Sequence, residues 1–161
     1  MHVREFVDAD WPAVWPIVRD VIRAEETFPY DPAMTSDEAR STWVVSAPGS
    51  TVVADDGGSI LGTAHMQANR GGRGAHVATA SFMVAAHARG RGVGRTLCSY
   101  ALDWARRRGF AGMQFNAVVE TNEAAIRLYR DLGFSIVGTV PGAFDHPTLG
   151  RVGLHVMYRE L

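Results

Sequence analysis

The sequence has few of the features that disulfide-rich, membrane-spanning and metal-binding proteins need. Its 161 residues contain one cysteine, Cys98, which excludes an internal disulfide framework. No run approaches the roughly 18 apolar residues of a membrane span, and the first residues contain no apolar signal core. We therefore expect a cytoplasmic protein with no membrane partner. The six histidines show no metal-ligand spacing, so we expect no metal.

The charge balance and the composition are those of an ordinary globular protein. The formal net charge of −1 gives no general attraction to nucleic acid, and we expect no nucleic-acid partner. Hydrophobic residues make up 47% of the chain and charged residues 20%. A chain of this length buries an adequate core, and we find no repeat or linker. Residues 1–161 are therefore expected to form a single domain.

The hydrophobic periodicity and the helix and turn signals predict strands and helices in a mixed order. Predicted strands cover residues 2–7, 51–54, 60–67, 76–84, 111–118, 134–140 and 152–158. Predicted helices cover residues 10–25, 35–45, 93–108 and 122–132, and a loop is predicted over 141–150. This order predicts an α+β fold with three layers, in which four helices pack on a mixed, mostly antiparallel sheet of six to seven strands.

A glycine-rich turn, residues 89–94 (Arg-Gly-Arg-Gly-Val-Gly), connects the predicted strand 76–84 to the predicted helix 93–108. The start of a helix has unpaired N–H groups and the positive end of the macrodipole. Glycines at that point let the backbone approach a polyphosphate closely. A Walker loop is excluded because no Gly-Lys-Ser/Thr triplet follows, and a dinucleotide fingerprint because its third glycine is absent. The turn therefore predicts a diphosphate site of another kind.

A second informative segment, residues 116–134, contains a strand end, a helix and the start of the next strand. Asn122 is a favourable N-cap, and Gly133 is a typical residue at the end of a helix. Between them, four residues fall on one helical face at helical spacing: Ala125, Ile126, Tyr129 and Leu132.

The two segments together resemble the GCN5-related N-acetyltransferase superfamily. Arg89, Gly92 and Gly94 fit its acyl-CoA pyrophosphate loop, Arg/Gln-x-x-Gly-x-Gly/Ala. A second match over residues 106–111 lies at a helix end, where carbonyl groups point outward, so the context favours the first match. The later segment resembles the superfamily's strand–helix unit, which has an Asn cap, a Tyr and Leu-Gly-Phe. The resemblance is good over residues 50–160 and implies the superfamily's fold, with acetyl-CoA as cosubstrate.

The resemblance also implies how acetyl-CoA is held. The backbone of residues 91–96 would surround the pyrophosphate, helped by two arginine side chains. The thioester carbonyl would accept a hydrogen bond from a backbone N–H near residues 83–84, on a strand that diverges from the next one. The cofactor-binding residues we expect are Met83, Val84, Arg89, Arg91, Gly92, Val93, Gly94, Arg95, Thr96 and Asn122.

Acetyl transfer to an amine needs an acid for the leaving thiolate and a base for the amine. Tyr129 is the predicted acid because a phenol with a pKa of about 10 is protonated at pH 7. Glu25, Glu26 and Glu120 are candidates for the base, acting directly or through water. Among them Glu26 is our choice, because it lies where the superfamily's acceptor loop is usually found. Cys98 is expected to be a buried thiol rather than a nucleophile.

The acceptor is expected to contact Thr27, Phe28, Thr79 and Asn116. Asn is unfavourable inside a strand, so Asn116 either binds a substrate carboxylate or carbonyl, or belongs to a turn at the strand end. Four stretches resemble acetyltransferases that act on proline analogues such as azetidine-2-carboxylate: residues 114–116, Asn122, Asn69 with residues 76–78, and residues 138–147. That subgroup usually has an Asn where this chain has Thr79, a difference that concerns the acceptor more than the reaction.

These features predict an N-acetyltransferase. It would move an acetyl group from acetyl-CoA to the amine of a small molecule, amino or imino acid-like, by direct attack in a ternary complex. A protein or peptide N-acetyltransferase is one alternative, and a non-catalytic acyl-CoA sensor is another. The presence of Tyr129 argues against the sensor, which needs no acid. The expected partners are the amine and a second copy of the chain in a homodimer.

Overall fold

The computed structural model describes all residues, 1–161. Seven strands form one sheet in the order β1-β2-β3-β4-β5-β7-β6. Their bounds are β1 His2–Glu5, β2 Ser50–Asp56, β3 Ser59–Ala68, β4 Val77–Val84, β5 Gly112–Val119, β6 Ser135–His146 and β7 Gly150–Glu160. Every neighbouring pair is antiparallel except β4 and β5, so the predicted mixed, mostly antiparallel sheet is confirmed.

Four α-helices cover the two faces of this sheet: α1 Trp11–Ala24, α2 Ser36–Trp43, α3 Val93–Arg107 and α4 Glu123–Asp131. Two neighbouring residues of β3 show on which face of the sheet α2 and α3 lie. Thr63 Oγ1 accepts a hydrogen bond from Trp43 of α2 (3.1 Å), whereas a Cβ on Gly62 would meet Val93 and Leu97 of α3. Because successive residues of a strand face opposite sides, α2 and α3 lie on opposite faces. The predicted three layers are confirmed.

Of the three predicted side-chain caps of helices, two are formed. Thr35 Oγ1 accepts from the Glu38 N–H while the Glu38 carboxylate accepts from the Thr35 N–H (2.8 Å). Asn122 Oδ1 accepts from the Ala125 N–H (3.2 Å). Asp10 occupies the N-cap position of α1 as predicted, but its side chain makes no capping hydrogen bond to that helix. Its carboxylate instead accepts from the Arg4 guanidinium (2.8 Å) and from the Val7 N–H (2.9 Å), which ties β1 to the start of α1.

The predicted loop over residues 141–150 is wrong, because β6 continues to His146. The strand β6 lies at the edge of the sheet, where a proline such as Pro141 is tolerated in a bulge or wherever its nitrogen does not face the neighbouring strand. The register with β7 shifts between Val140 and Phe144, so a bulge accommodates the three intervening residues. Residues 141–146 therefore form a strand because β6 lies at the edge of the sheet, which local sequence propensity does not reveal.

The imidazole of His65 is one of the buried polar groups that have no hydrogen-bond partner. His65 on β3 is buried, and its ring lies edge-on to Trp43 with the ring centroids 4.7 Å apart. Neither ring nitrogen has a hydrogen-bond partner. Burial disfavours the charged ring and lowers the pKa of His65 from 6.5 to about 4.

His65 is expected to make the fold sensitive to acid. Below pH 6.5 the unfolded chain binds a proton at this site that the folded chain does not bind, so stability falls as the pH drops from 6.5 to 4. The full shift corresponds to about 3 kcal/mol. His65→Phe keeps a ring against Trp43 and removes the titration. In urea unfolding, the stability of the variant relative to the wild type should rise by roughly that amount between pH 7 and pH 4. Parallel pH curves for the two proteins would contradict this expectation.

Candidate active site

Strands β4 and β5 pair only at their starts, through Val77–Gly112 and Ala78–Met113. Beyond Ala78 the two strands diverge, as the resemblance implied. A cleft of about 690 Å³ occupies this gap and continues to the N-terminus of α3 and to the loop after α1. We call it the β4–β5 cleft. Its size is typical of small-molecule and cofactor sites.

The start of α3 forms one end of the β4–β5 cleft, and we call it the diphosphate end after the site that the sequence predicts there. Four consecutive N–H groups, those of residues 92–95, have no hydrogen-bond partner in the chain. Gly92 has a φ of +81°, a left-handed conformation that suits glycine and turns the chain into the helix. The N–H groups of Arg91 and Thr96 are already bonded to the carbonyls of Ala88 and Gly92. The available donors therefore form a narrower set than the predicted 91–96.

The side chains predicted to help at this end separate into two groups. Arg89 and Arg95 line the cleft, and Arg95 also pairs with Asp131 of α4 (2.7 Å). Arg91 does not line it, because its guanidinium reaches Asp56 of β2 (3.2 Å). Thr96 does not line it either, since its hydroxyl donates to the Gly92 carbonyl (3.2 Å). Of the predicted cofactor-binding residues, Arg91 and Thr96 therefore lie outside the lining of the cleft.

The backbone of β4 faces the cleft at alternate residues. The Val77 carbonyl and the Ala85 N–H bond to the β3 side. Because backbone groups of a strand alternate between its two edges, Met83 also faces β3, and Val84 faces the cleft. Of the two residues predicted to supply the N–H for a thioester carbonyl, only Val84 has the required direction. The Phe82 N–H has the same direction.

Tyr129 lies where β4 and β5 diverge. Its ring is 4.5 Å from that of Phe115 and 6.2 Å from that of Phe82, measured between centroids, so both strands contact it. Its hydroxyl has no hydrogen-bond partner in the chain, and the residue lines the β4–β5 cleft. Burial raises the pKa of Tyr129 above the ordinary value of 10, so the phenol is protonated at neutral pH.

Glu26, Thr27 and Phe28, in the loop after α1, also line the cleft, and we call this part the acceptor end after the role that the sequence predicts for them. Of the three candidate bases, only Glu26 lies there. Glu120 accepts a hydrogen bond from the Gly153 N–H (2.6 Å), and neither it nor Glu25 contributes to the lining. Glu26 is exposed, so its carboxylate is accessible to solvent.

Thr79 and Asn116 also line the cleft, and we include them in the acceptor end because of their predicted role. Asn116 lies in an irregular part of β5, where the register with β7 shifts between Phe115 and Val118. Its amide bonds to two other side-chain amides, those of Gln114 and Asn69. Asn116 therefore belongs to a side-chain network, which neither of the two sequence interpretations included.

The cleft also contains residues that sequence reasoning missed. Tyr30 packs its ring against Phe28 at 5.6 Å and lines the acceptor end, and Ser81 lines the β4 wall. Tyr30 follows two predicted site residues and could have been found from its place in the loop. Asn69 lies outside the lining; the resemblance to the proline-analogue subgroup included it, but its hydrogen bond to Asn116 had no signal in the sequence. Cys98 is fully buried and burial raises its pKa to about 12, so it has the properties of an inert thiol, as expected.

The sequence profile of the Acetyltransferase (GNAT) family matches residues 15–134. A GCN5-related N-acetyltransferase from Kribbella flavida is 57% identical, with a TM-score of 0.96, over 99% of this chain and 97% of that one. The chain therefore belongs to the Acetyltransferase (GNAT) family. The matching part of the chain spans 66%, 13% and 37% of the length of three curated relatives, so it corresponds to only a part of each.

Two more distant structures concern different acceptors. A phosphinothricin acetyltransferase from Sinorhizobium meliloti, in complex with AcCoA, is 25% identical, with a TM-score of 0.79, over 99% of this chain and 87% of that one. A ribosomal-protein-alanine N-acetyltransferase from Brucella melitensis is 26% identical, with a TM-score of 0.84, over the full length of both chains. The fold is therefore similar in enzymes named for a small molecule and for a protein.

Two further findings concern metals and membranes. No group of three or more His, Cys, Asp or Glu side chains is placed so that it could hold a metal ion. None of the helices combines the length and the apolar character that crossing a membrane requires.

Proposed function

We propose that this chain transfers an acetyl group from acetyl-CoA to the amine of a small amino or imino acid. One observation carries the proposal. A single cleft joins the four free N–H groups at the start of α3, the Tyr129 hydroxyl and the polar side chains of the acceptor end.

The residues of the diphosphate end fit acetyl-CoA. Four converging N–H groups at the positive end of a 15-residue helix suit a diphosphate, and Arg89 and Arg95 add positive charge beside them. Asn122, at the start of α4, lines the cleft in addition to capping its helix. The gap between β4 and β5 leaves the Phe82 and Val84 N–H groups unpaired, and these would polarise a thioester carbonyl placed there.

The reaction is a direct transfer. The neutral amine attacks the thioester carbonyl carbon, a C–N bond forms, and the C–S bond breaks to release a thiolate. Tyr129 donates its phenolic proton to the thiolate and regains a proton from water. Glu26 accepts the proton that the amine loses, directly or through water, and then releases it to the solvent, which balances the proton that Tyr129 regains. Burial of Tyr129 keeps the phenol protonated before each turnover.

The acceptor end suits a small molecule with a polar and an apolar part. The rings of Phe28 and Tyr30 offer an apolar surface, while Thr79 and Asn116 offer neutral hydrogen-bond donors. No arginine of the cleft lies at this end, because Arg89 and Arg95 belong to the diphosphate end. A carboxylate bound here would have neutral partners, so its affinity would be modest.

Substitutions at the acceptor end test this assignment. Asn116→Ala should raise KM for a small amino or imino acid while the Kd for acetyl-CoA is unchanged, because the amide lies away from the diphosphate end. Thr79→Asn should raise activity on azetidine-2-carboxylate by restoring the residue of the proline-analogue subgroup. Thiol release would measure the activity, and calorimetry the Kd. An unchanged KM in Asn116→Ala would remove Asn116 from the acceptor site.

Acetylation of a protein N-terminus is the second candidate function. Glu26, Pro29 and Asn116 are exposed, so the acceptor end is open enough for a peptide. A thiol-release screen of amino acids, imino acids, polyamines and peptides distinguishes the candidates. All sixteen basic residues are arginine, so any acetyl-lysine in the assay derives from an added protein. Acetylation of peptides alone would replace the small-molecule proposal with this one.

A further inference from the structure

Three side-chain amides form a chain across the acceptor end of the β4–β5 cleft. Gln114 Nε2 donates to Asn116 Oδ1 (2.8 Å), and Asn116 Nδ2 donates to Asn69 Oδ1 (2.7 Å). Both ends of the Asn116 amide are therefore held. One N–H and one oxygen lone pair of that amide remain for a ligand.

The network bridges the point at which the two strands separate. Asn69 directly follows β3, and its N–H bonds to the Val77 carbonyl at the start of β4. Asn116 belongs to β5, on the other side of β4. The pairing of β4 with β5 ends at Ala78–Met113. The hydrogen bond between the side chains of Asn69 and Asn116 therefore spans the start of the gap between the two strands.

The backbone alone does not fix Asn116. Asn116 has no paired residue in β7, because the register between β5 and β7 shifts between Phe115 and Val118. The side chain is exposed, and an exposed amide that lacks neighbours rotates freely about its side-chain torsions. Its orientation is therefore determined by the two amides to which it is bonded.

We propose that Asn69 and Gln114 are positioning residues, which hold the Asn116 amide in the orientation that receives the acceptor's carboxylate. The inference rests on the proposed function and extends it to two residues outside the lining of the cleft. A preoriented amide loses less conformational entropy when the acceptor binds, so the network lowers KM for the acceptor. It has no role in the binding of acetyl-CoA or in proton transfer.

Two probes isolate the contribution of the carboxylate: azetidine-2-carboxylate and azetidine, which lacks the carboxylate. Asn69→Ala and Gln114→Ala should each raise KM for azetidine-2-carboxylate about 3- to 10-fold, the effect expected for one hydrogen bond. The KM for azetidine, kcat and the Kd for acetyl-CoA should be unchanged. Gln67→Ala is the matched control, because Gln67 is an exposed amide on the same hairpin and has no side-chain hydrogen bond.

A double-mutant cycle tests whether Asn69 acts through Asn116. In the Asn116→Ala background, Asn69→Ala should cause no further increase in KM. Additive effects would overturn the inference, since Asn69 would then act on its own. Equal increases in KM for both probes, or a changed Kd for acetyl-CoA, would also overturn it in favour of a purely structural role.

The inference and the proposed function fail in different ways. If azetidine-2-carboxylate is acetylated and the two alanine variants match Gln67→Ala, the proposed function stands and the inference is wrong. If the wild-type protein acetylates no amino or imino acid, both are wrong.

Discussion

Tyr129→Phe is expected to lower kcat by about 10- to 10⁴-fold, the range for the loss of a general acid. The substitution removes only the hydroxyl, which has no partner in the chain. The ring keeps its contacts with Phe115 and Phe134, at centroid distances of 4.5 and 6.0 Å. The fold and the Kd for acetyl-CoA should therefore be unchanged.

Steady-state thiol release measures this effect, with calorimetry for the Kd. Tyr100→Phe is the matched control, because Tyr100 lies on α3 outside the β4–β5 cleft and contacts Arg107 instead. The pH dependence gives a second readout. Burial raises the pKa of Tyr129 above 10, so loss of the acid should reduce kcat only at a pH above that ordinary value. If turnover in Tyr129→Phe stays within twofold of the wild type, Tyr129 is a packing residue.

Cys98→Ala separates direct attack from an acyl-enzyme. The thiol is fully buried and its pKa is raised to about 12, so little thiolate exists at neutral pH. Turnover should continue in the variant. Intact-mass measurement of the wild-type protein with acetyl-CoA would detect an acetylated Cys98, and finding one would overturn the direct mechanism.

Gly94→Asp is expected to weaken acetyl-CoA binding by roughly 10²- to 10³-fold. A Cβ at this position would lie 3.4 Å from Leu128 Cδ2, an ordinary contact, so the side chain fits. Its carboxylate would stand beside the diphosphate. Two like charges about 4 Å apart repel by roughly 4 kcal/mol at an effective dielectric constant of about 20, which is close to 10³-fold before relaxation.

This position separates binding from folding better than Gly92 does. Gly92 has a φ of +81°, so any side chain there strains the backbone. Gly94 lies in the first turn of α3, where a carboxylate stabilises the helix through the macrodipole. A loss of affinity in Gly94→Asp therefore does not come from a weakened helix.

Calorimetry with acetyl-CoA measures the loss, and circular dichroism checks the fold. Gly94→Asn is the control, because it has nearly the same shape without the charge and should lose much less affinity. Equal losses in the two variants would point to crowding rather than charge. Unchanged affinity in Gly94→Asp would mean that the diphosphate binds elsewhere.

The sequence by itself determined the helices and most of the strands, because they depend on interactions between residues close in the chain. The cap of α2 by Thr35 and Glu38 and the cap of α4 by Asn122 were readable for this reason. The glycine-rich turn likewise predicted the free N–H groups of α3, since the geometry of a helix start is local. The fold class followed from the order of these elements.

The tertiary structure alone decided the features that depend on strand pairing. Residues 141–146 form part of β6 because an edge strand accepts a proline and a bulge. Arg91 turns away from the cleft because β2 places Asp56 within its reach. Asn69 meets Asn116, a residue 47 positions later, because β3 and β5 lie on either side of β4. Such contacts join residues far apart in the chain, and no local pattern of residue types specifies them.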